Sequence, residues 1–485
     1  MLQRIAMLAG ALAAAALISP AVMAASITVN TTTDVVNASD GACSLREAIS
    51  AVNTATPSGS AAGECSAGDG NADTVVLAAG TYTLSLAGAD EDGNAAGDLD
   101  VLASVVLQGA GMDQTTIDAA GFGASNDRAL DIPATGLLVS LEDLAITNGH
   151  APDASQSSTG TGEDGGAIRV QSANVSLVSV ALRNNQAGAG TVDTFPLTSG
   201  NGGAIAISGG QLTVERSVVA ANSCVTSGLG SDMGGGIYAL ATAVSISRSS
   251  IENNTVDGGS GGGIYCGSGC GLDVRQASIT GNTAGAGGGI YMLGDALVIA
   301  NTTLAQNVGY TFGAGAYVVQ QTAQQADPRF DFVTLVANQG DGISFYSAAS
   351  VAGSVLLRNS VVAGNSGDDC VMTASGSLAS QGYNLLGATC AAGSNDVAAS
   401  LNNLHLGPLI LDDQGLTWVK LPGPTSAAIN AGNCAASALN VDQRTTARPQ
   451  GVPRVINKFD GCDIGAAELG DDIFWDDFED HAGAG

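Results

Sequence analysis

Acid–base chemistry on this 485-residue chain would draw on three histidines, His150, His405 and His481, and on adjacent aspartates such as Asp368–Asp369 and Asp412–Asp413. A hydrolase working through carboxylates needs a general acid and a general base flanking one bond, with a basic group close by. The histidines lie in ITNGHA, NNLHLG and the terminal tail, far apart in sequence. Asp368–Asp369 precedes Cys370, which makes it look structural. Arg169, Arg183, Arg216, Arg248 and Arg275 are read as mostly isolated, outward-pointing cations. No catalytic constellation follows, so the expectation is a protein that is not an enzyme.

Metal chemistry has more to work with. Asp69, Asn71 and Asp73 alternate, as do Asp90, Asp92 and Asn94, with Asp98 and Asp100 following. Hard oxygen ligands at i, i+2 and i+4 suit Ca²⁺. Neither stretch completes an EF-hand loop: its sixth position is Thr74 in one and Ala95 in the other, and no Glu closes either. Solvated acidic loops are the alternative. Of nine cysteines, spacing suggests Cys43–Cys65, Cys370–Cys390 and Cys434–Cys462 as disulfides. Cys266 and Cys270 bracket a GSG turn and could close a small loop, although Cys266 falls on an inward position, which counts against that pair; Cys224 is left over.

What positions these residues is a repeat. It runs GGAIRV (165–170), GGAIAI (202–207), GGGIYA (234–239), GGGIYC (261–266), GGGIYM (287–292), GAGAYV (313–318) and GDGISF (340–345). From Ile237 the aligned positions Ile264, Ile290, Ala316 and Ile343 recur at intervals of about 27 residues. Earlier intervals are longer, with insertions at 186–201 and 223–233. Each repeat is answered by an apolar residue three before an asparagine, as at Asn222, Asn254, Asn282, Asn307 and Asn365. Between them lie alternating stretches such as QLTVERS and AVSISRS. Period-2 alternation, β-branched residues and glycine punctuation predict short strands. Such a unit cannot bury a core alone, but stacked units can, about 4.8 Å apart. The expected fold is all-β: a single-stranded right-handed parallel β-helix from about residue 70 to 400, with capping N- and C-terminal segments.

Alternation assigns faces. Ile168 and Val170 point inward and Arg169 outward; Ile205 and Ile207 form the next inward pair. The asparagines fall at turns, where Asn tolerates left-handed geometry and its amide can stack from rung to rung. The residue after the inward Ile is Tyr238, Tyr265, Tyr291 and Tyr317 in consecutive repeats. Rung spacing would set these rings in one column, in a chain with only 4% aromatics. Such a column either meets a sugar or a partner's apolar surface, or stacks on itself as scaffold.

Composition agrees. Gly contributes 68 residues and hydrophobic residues 45%, while charged residues are 12%, too few for the amphipathic helices of an ordinary α/β enzyme. The formal net charge of −30 and the presence of only Lys420 and Lys458 as lysines argue against nucleic-acid partners. Anionic polysaccharides are disfavoured unless a divalent cation bridges the charges. Residues 1–24 read as a signal peptide: Arg4, an uncharged run from Ile5 to Ile18, Pro20, then Val22 and Ala24 at the cleavage positions. The alternative is an N-terminal membrane anchor. No later segment has the apolar length of a span.

These motifs carry resemblances. The GGA-I and x-x-x-N pairs resemble the repeats of chlamydial polymorphic outer-membrane proteins, which are surface-exposed passengers, though no barrel pattern follows residue 365. CSLREAI (43–49), NADTVVLAAGTYTLSL (71–86), GDLDV (97–101) and GAG (109–111) resemble the domain named CSLREA. GYNLLG (382–387), LGPL (406–409), SAAINAG (426–432), VDQRTTARP (441–449) and CDIGAAE (462–468) resemble the choice-of-anchor Q domain. Read this way, 25–110 is the CSLREA-like segment with the first rungs, 111–365 the repeats, 366–470 the anchor-like domain and 471–485 an acidic aromatic tail. The resemblance implies an extracellular or cell-surface protein with a pectin-lyase-like fold, and neither terminal domain brings an activity. Adhesion or binding of a glycan or protein partner is the leading expectation. A pectin-lyase-type carbohydrate-active enzyme is the alternative, although no histidine here resembles the GHG site of polygalacturonases, and a structural envelope or matrix component is the third.

Overall fold

The structure is a computed structural model that describes residues 24–88, 91–121, 127–151, 164–188, 200–225, 232–400, 402–437, 439–451 and 455–470. The signal-like leader up to residue 23, Asp90, much of both insertions, His481 and the tail 471–485 lie outside the described residues.

The described chain is a right-handed parallel β-helix. A ten-stranded sheet, in which every pairing is parallel, makes one face from Leu99–Asp100 to Cys370–Ala374. A twenty-stranded sheet turns a corner to supply two more faces, and a five-stranded sheet fills part of the circuit. The corner is visible inside single strands. Leu138–Thr147, Asn174–Arg183 and Ala296–Ala305 each hold a left-handed residue, Asp143, Ser179 and Asn301, where the chain swings from one face to the next.

Alternation places the core as the repeat predicts. Ile168, Ile205, Ile237, Ile264, Ile290, Ala316 and Ile343 pair in that order and are all fully buried. A buried Ile contributes roughly 1.5–3 kcal/mol. The glycines before each Ile have two separate reasons. Gly261 turns at φ +73°, and a Cβ on Gly262 would sit 2.5 Å from the Gly288 carbonyl oxygen of the next rung.

The asparagines form the predicted ladder, in one respect differently. Asn185, Asn222, Asn254, Asn282, Asn307, Asn338 and Asn365 hand one Nδ2–H to the next Oδ1 at 2.8–3.0 Å, and Asn365 donates to Asp369 at 2.8 Å. The left-handed residue is the one before each ladder asparagine, for example Ala221, Asn253, Gly281 and Gln306. That kink turns the following side chain inward, where burial makes its hydrogen bonds obligatory.

The CSLREA stretch is the N-terminal plug. Ser44 caps the helix Leu45–Thr54 in a capping box with Glu47, and Leu45, Ala48, Ile49 and Val52 join the main core. Arg46 is fully buried, donating to Asp34 Oδ1 at 2.8 Å and to the carbonyls of Gly97 and Asp98 at 2.7 Å. The C-terminal end holds the last coils and a segment that follows them. The coil continues past 365 to the pair Leu385–Leu386 and Val397–Ala398. The rest of the segment then turns back and lies along the side of the rungs. Trp418 reaches Ser278 and Glu252, Gln443 reaches Thr303, and Arg448 reaches Asn301 and stacks over Phe332.

All three spaced cysteine pairs are disulfides, and so is Cys266–Cys270. The last settles the pair that the sequence left open. Cys266 does point inward, but the turn through Gly269 at φ +71° brings a fully buried Cys270 back to a Cα separation of 5.5 Å. Cys224 is free and buried.

Candidate functional site: the outer column of the ten-stranded face

Register sets one outward column along this face: Asp100, Asp131, Arg169, Ala206, Tyr238, Tyr265, Tyr291, Tyr317 and Ser344. The four tyrosines stand in line as their spacing predicts. Tyr238 and Tyr265 stack at 5.5 Å and 16°, Tyr265 and Tyr291 at 5.1 Å and 19°, while Tyr317 meets Tyr291 edge-on at 5.3 Å. Phe312 covers Tyr317 at 5.2 Å. Most ring faces are therefore spent on one another, and Tyr265 is buried. Burial, then the nearby Asp164 charge, pushes the Tyr238 phenol up to about 12, so it stays a neutral hydroxyl near pH 7.

The stack stops at Ala206. One methyl stands between the rungs of Tyr238 and Arg169, two rung spacings or roughly 10 Å apart. The result is a cleft of about 390 Å³ lined by Asp164, Arg169, Ser172, Ala206, Ser208 and Tyr238. No histidine lines it among the described residues. Arg169 is not the isolated cation expected from sequence. Its Nε donates to Asp131 Oδ1 at 2.9 Å and its Nη2 to Oδ2. Burial works against the guanidinium charge, and the Asp131 carboxylate overrides it. Arg183, Arg216, Arg248 and Arg275 likewise each pair with a carboxylate.

Behind Arg169 the column turns acidic. Asp98, Asp100, Asp127 and Asp131 are buried with Arg128. Burial, followed by the Asp127 charge, holds Asp98 well above the ordinary carboxylate range. Burial, then the charge of Asp131, lifts Asp100 to about 7, and burial lifts Asp127 to about 6. Burial also raises Asp164, whose Oδ1 accepts from Asn201 N and Nδ2 at 2.9 Å.

The other candidates sit elsewhere. Asp69 and Asn71 lie in the turn that leads into the strand Asp73–Val76, and the carboxylates take backbone donors, Asn71 N on Asp69 at 2.9 Å and Ala25 N on Asp73 at 3.1 Å. Asp92 comes beside Asp100 and Asp131, while Asn94 turns at φ +61° and gives its N–H to Asp100 at 2.7 Å. His405 is tied to Thr425 at 2.7 Å in the C-terminal segment. Asp412 accepts from Leu416 N at 2.9 Å within a turn. Sequence reading missed Asp131, Asp164 and Ala206.

The class that fold and column define is the right-handed β-helix, and a family model described as "Right handed beta helix region" matches residues 203–384. A solved structure, the A-module of the mannuronan C-5 epimerase AlgE6 of Azotobacter vinelandii, is similar at 16% identity, covering 70% of this chain and 96% of that one with a TM-score of 0.26. No curated protein matches the chain. No helix among the described residues is long and apolar enough to cross a membrane.

Proposed function

We propose that this is an exported, surface-acting protein that binds a glycan on the ten-stranded face, seating one sugar ring over Ala206 between Arg169 and the open face of Tyr238. The observation carrying this is the in-register order Arg169, Ala206, Tyr238 with the cleft it leaves. A 390 Å³ cleft falls within the usual size of ligand pockets. An aromatic face at one wall, a guanidinium at the other and the Ser172 and Ser208 hydroxyls suit the apolar and hydroxylated sides of a sugar. The net charge of −30 favours a neutral glycan. Four disulfides, the signal-like leader and the resemblance to CSLREA, choice-of-anchor Q and polymorphic outer-membrane domains support the extracellular address.

The test is a glycan array followed by Ala206→Phe, which fills the cleft and extends the stack. Loss of binding at an unchanged or raised melting temperature supports the site. Binding equal to wild type, or no glycan bound by the wild-type protein, overturns it and leaves the tyrosines as scaffold.

Asp164 favours one second reading, a carbohydrate-active enzyme. Its carboxyl lines the cleft with a pKa raised by burial, as a general acid requires. Turnover lost in Asp164→Asn with binding retained would support it; a bound glycan recovered unchanged after prolonged incubation would exclude it.

A further inference from the structure

We propose that Asp92, Asp100 and Asp131 form a calcium site at the acidic end of the outer column, with Asn94 adjoining. One carboxylate oxygen from each of the three lies within 4.8 Å of the others. Asp100 and Asp131 are register partners on neighbouring rungs and are buried, whereas Asp92 is exposed and gives an ion a way in from solvent. A cluster of acids alone would mean little. Here two buried oxygens have no hydrogen-bond partner among the described residues, Asp100 Oδ1 and Asn94 Oδ1. Asn94 is fixed so that its oxygen is the atom left over: Nδ2 donates to Arg46 O and to Ser50 Oγ, both at 2.8 Å. Buried acceptors left unpaired are costly, and a cation held by the cluster satisfies Asp100 Oδ1.

Charge and ligand type name the ion. The three carboxylates face one another with a single guanidinium on Asp131, an arrangement that favours a cation between them. Arg169 takes one lone pair on each Asp131 oxygen and leaves another. All the donors are hard oxygens on an irregular loop and two rungs. That suits the flexible six- to eight-fold shell of Ca²⁺ better than the strict octahedron of Mg²⁺ or the nitrogen and sulfur ligands of Zn²⁺. The bound ion would tie the loop 91–98 to the rungs and fix Asp131, which orients Arg169 beside the cleft. The site stands whether or not the cleft takes a glycan.

The experiment is isothermal titration of EDTA-stripped protein with CaCl₂, and melting in about 5 mM CaCl₂ or MgCl₂, above the ~10⁻⁴–10⁻³ M range of extracellular calcium modules. One saturable Ca²⁺ site and a raised melting temperature, with a smaller shift in Mg²⁺, are expected. Asp92→Asn should weaken Ca²⁺ binding by about tenfold or more. Its metal-free melting temperature should match wild type, because Asp92 is exposed. Asp69→Asn should leave binding intact. Absence of Ca²⁺ binding, binding unchanged in Asp92→Asn, or binding lost in Asp69→Asn instead would each overturn the proposal.

Discussion

Arg169 and Asp131 occupy successive rungs of one outward column and form a forked ion pair, Nε to Oδ1 at 2.9 Å and Nη2 to Oδ2, with side-chain exposures of 14% and 2%. Such a pair is costly to break from one side, because the partner is left charged and buried. Arg169→Met is expected to lose about 3–5 kcal/mol of stability, and Arg169→Met/Asp131→Leu to recover most of it. Urea unfolding of the two variants checks this. Equal loss in both would mean the pair is not what the rungs depend on.

The asparagine ladder should be intolerant of interruption. Asn282 Oδ1 accepts from Asn254 N and Nδ2, both at 3.0 Å, and its Nδ2 donates to Asn307 Oδ1 at 3.0 Å and to Ile251 O at 2.9 Å. Asn282→Ala strands several of these buried groups at once, for an expected loss of roughly 3 kcal/mol or more. A loss of less than about 1 kcal/mol in denaturant titration would show that water replaces the amide freely.

The disulfides should differ in weight by the loop each closes. Cys43–Cys65 spans 22 residues and Cys266–Cys270 only 4. Chain entropy predicts about 3 kcal/mol for the first and about 2 kcal/mol for the second. Melting of the two double-alanine variants gives the ranking. A larger loss at 266 and 270 would show that loop length does not set the ranking.

Asp463 should make stability fall with rising pH. Burial, then the charge of Glu468, pushes it from 3.8 up to about 7, against backbone donors from Asn430 and Leu469 and the nearby Arg448. Its proton is held more tightly in the folded state, so its contribution is complete below about 3.8 and lost as pH rises through about 7. Glu468 faces Asp463 and adds repulsion once it ionises. The contribution of Asp463 itself, measured in EDTA as the difference between wild type and Asp463→Asn, is expected to drop by on the order of 2 kcal/mol between about pH 5 and about pH 8. Asp463→Asn should be weaker at the lower pH but flatter across the range. An unchanged slope would assign the pH dependence to other carboxyls.

The repeat made the central rungs legible because glycine, inward Ile and ladder Asn each solve a local problem at a fixed interval. Tyr238 to Tyr317 could be aligned on that interval alone. The column's other half was hidden because GDLDV and ALDI carry no glycine pair before Leu99 and Leu130. Extending the register backward from Ile168 would have put Asp100 and Asp131 in line with Arg169. Ring stacking was a possibility in the sequence, but which face stays open depends on Ala206, whose meaning is only the size it lacks. Asp164 directly precedes the glycine pair of GGAIRV, but nothing in that motif marks its side chain as lining a cleft. The return of the C-terminal segment along the rungs had no signature either. Its contacts join residues up to 166 apart, such as Glu252 with Trp418, through single side chains.

That return changes how the molecule would come apart. A bare solenoid can fray rung by rung from either end, since each coil is held only by its neighbours. Here Trp418, Gln443, Arg448 and Ala466 staple the outside of rungs running from Glu252 to Thr334, and Asn433 adds Asn359. Peeling the last coils frees little chain entropy while the splint stays attached. Unravelling from the C-terminal end must wait for the splint to lift as a unit, giving a modular stack the cooperativity of a globular domain.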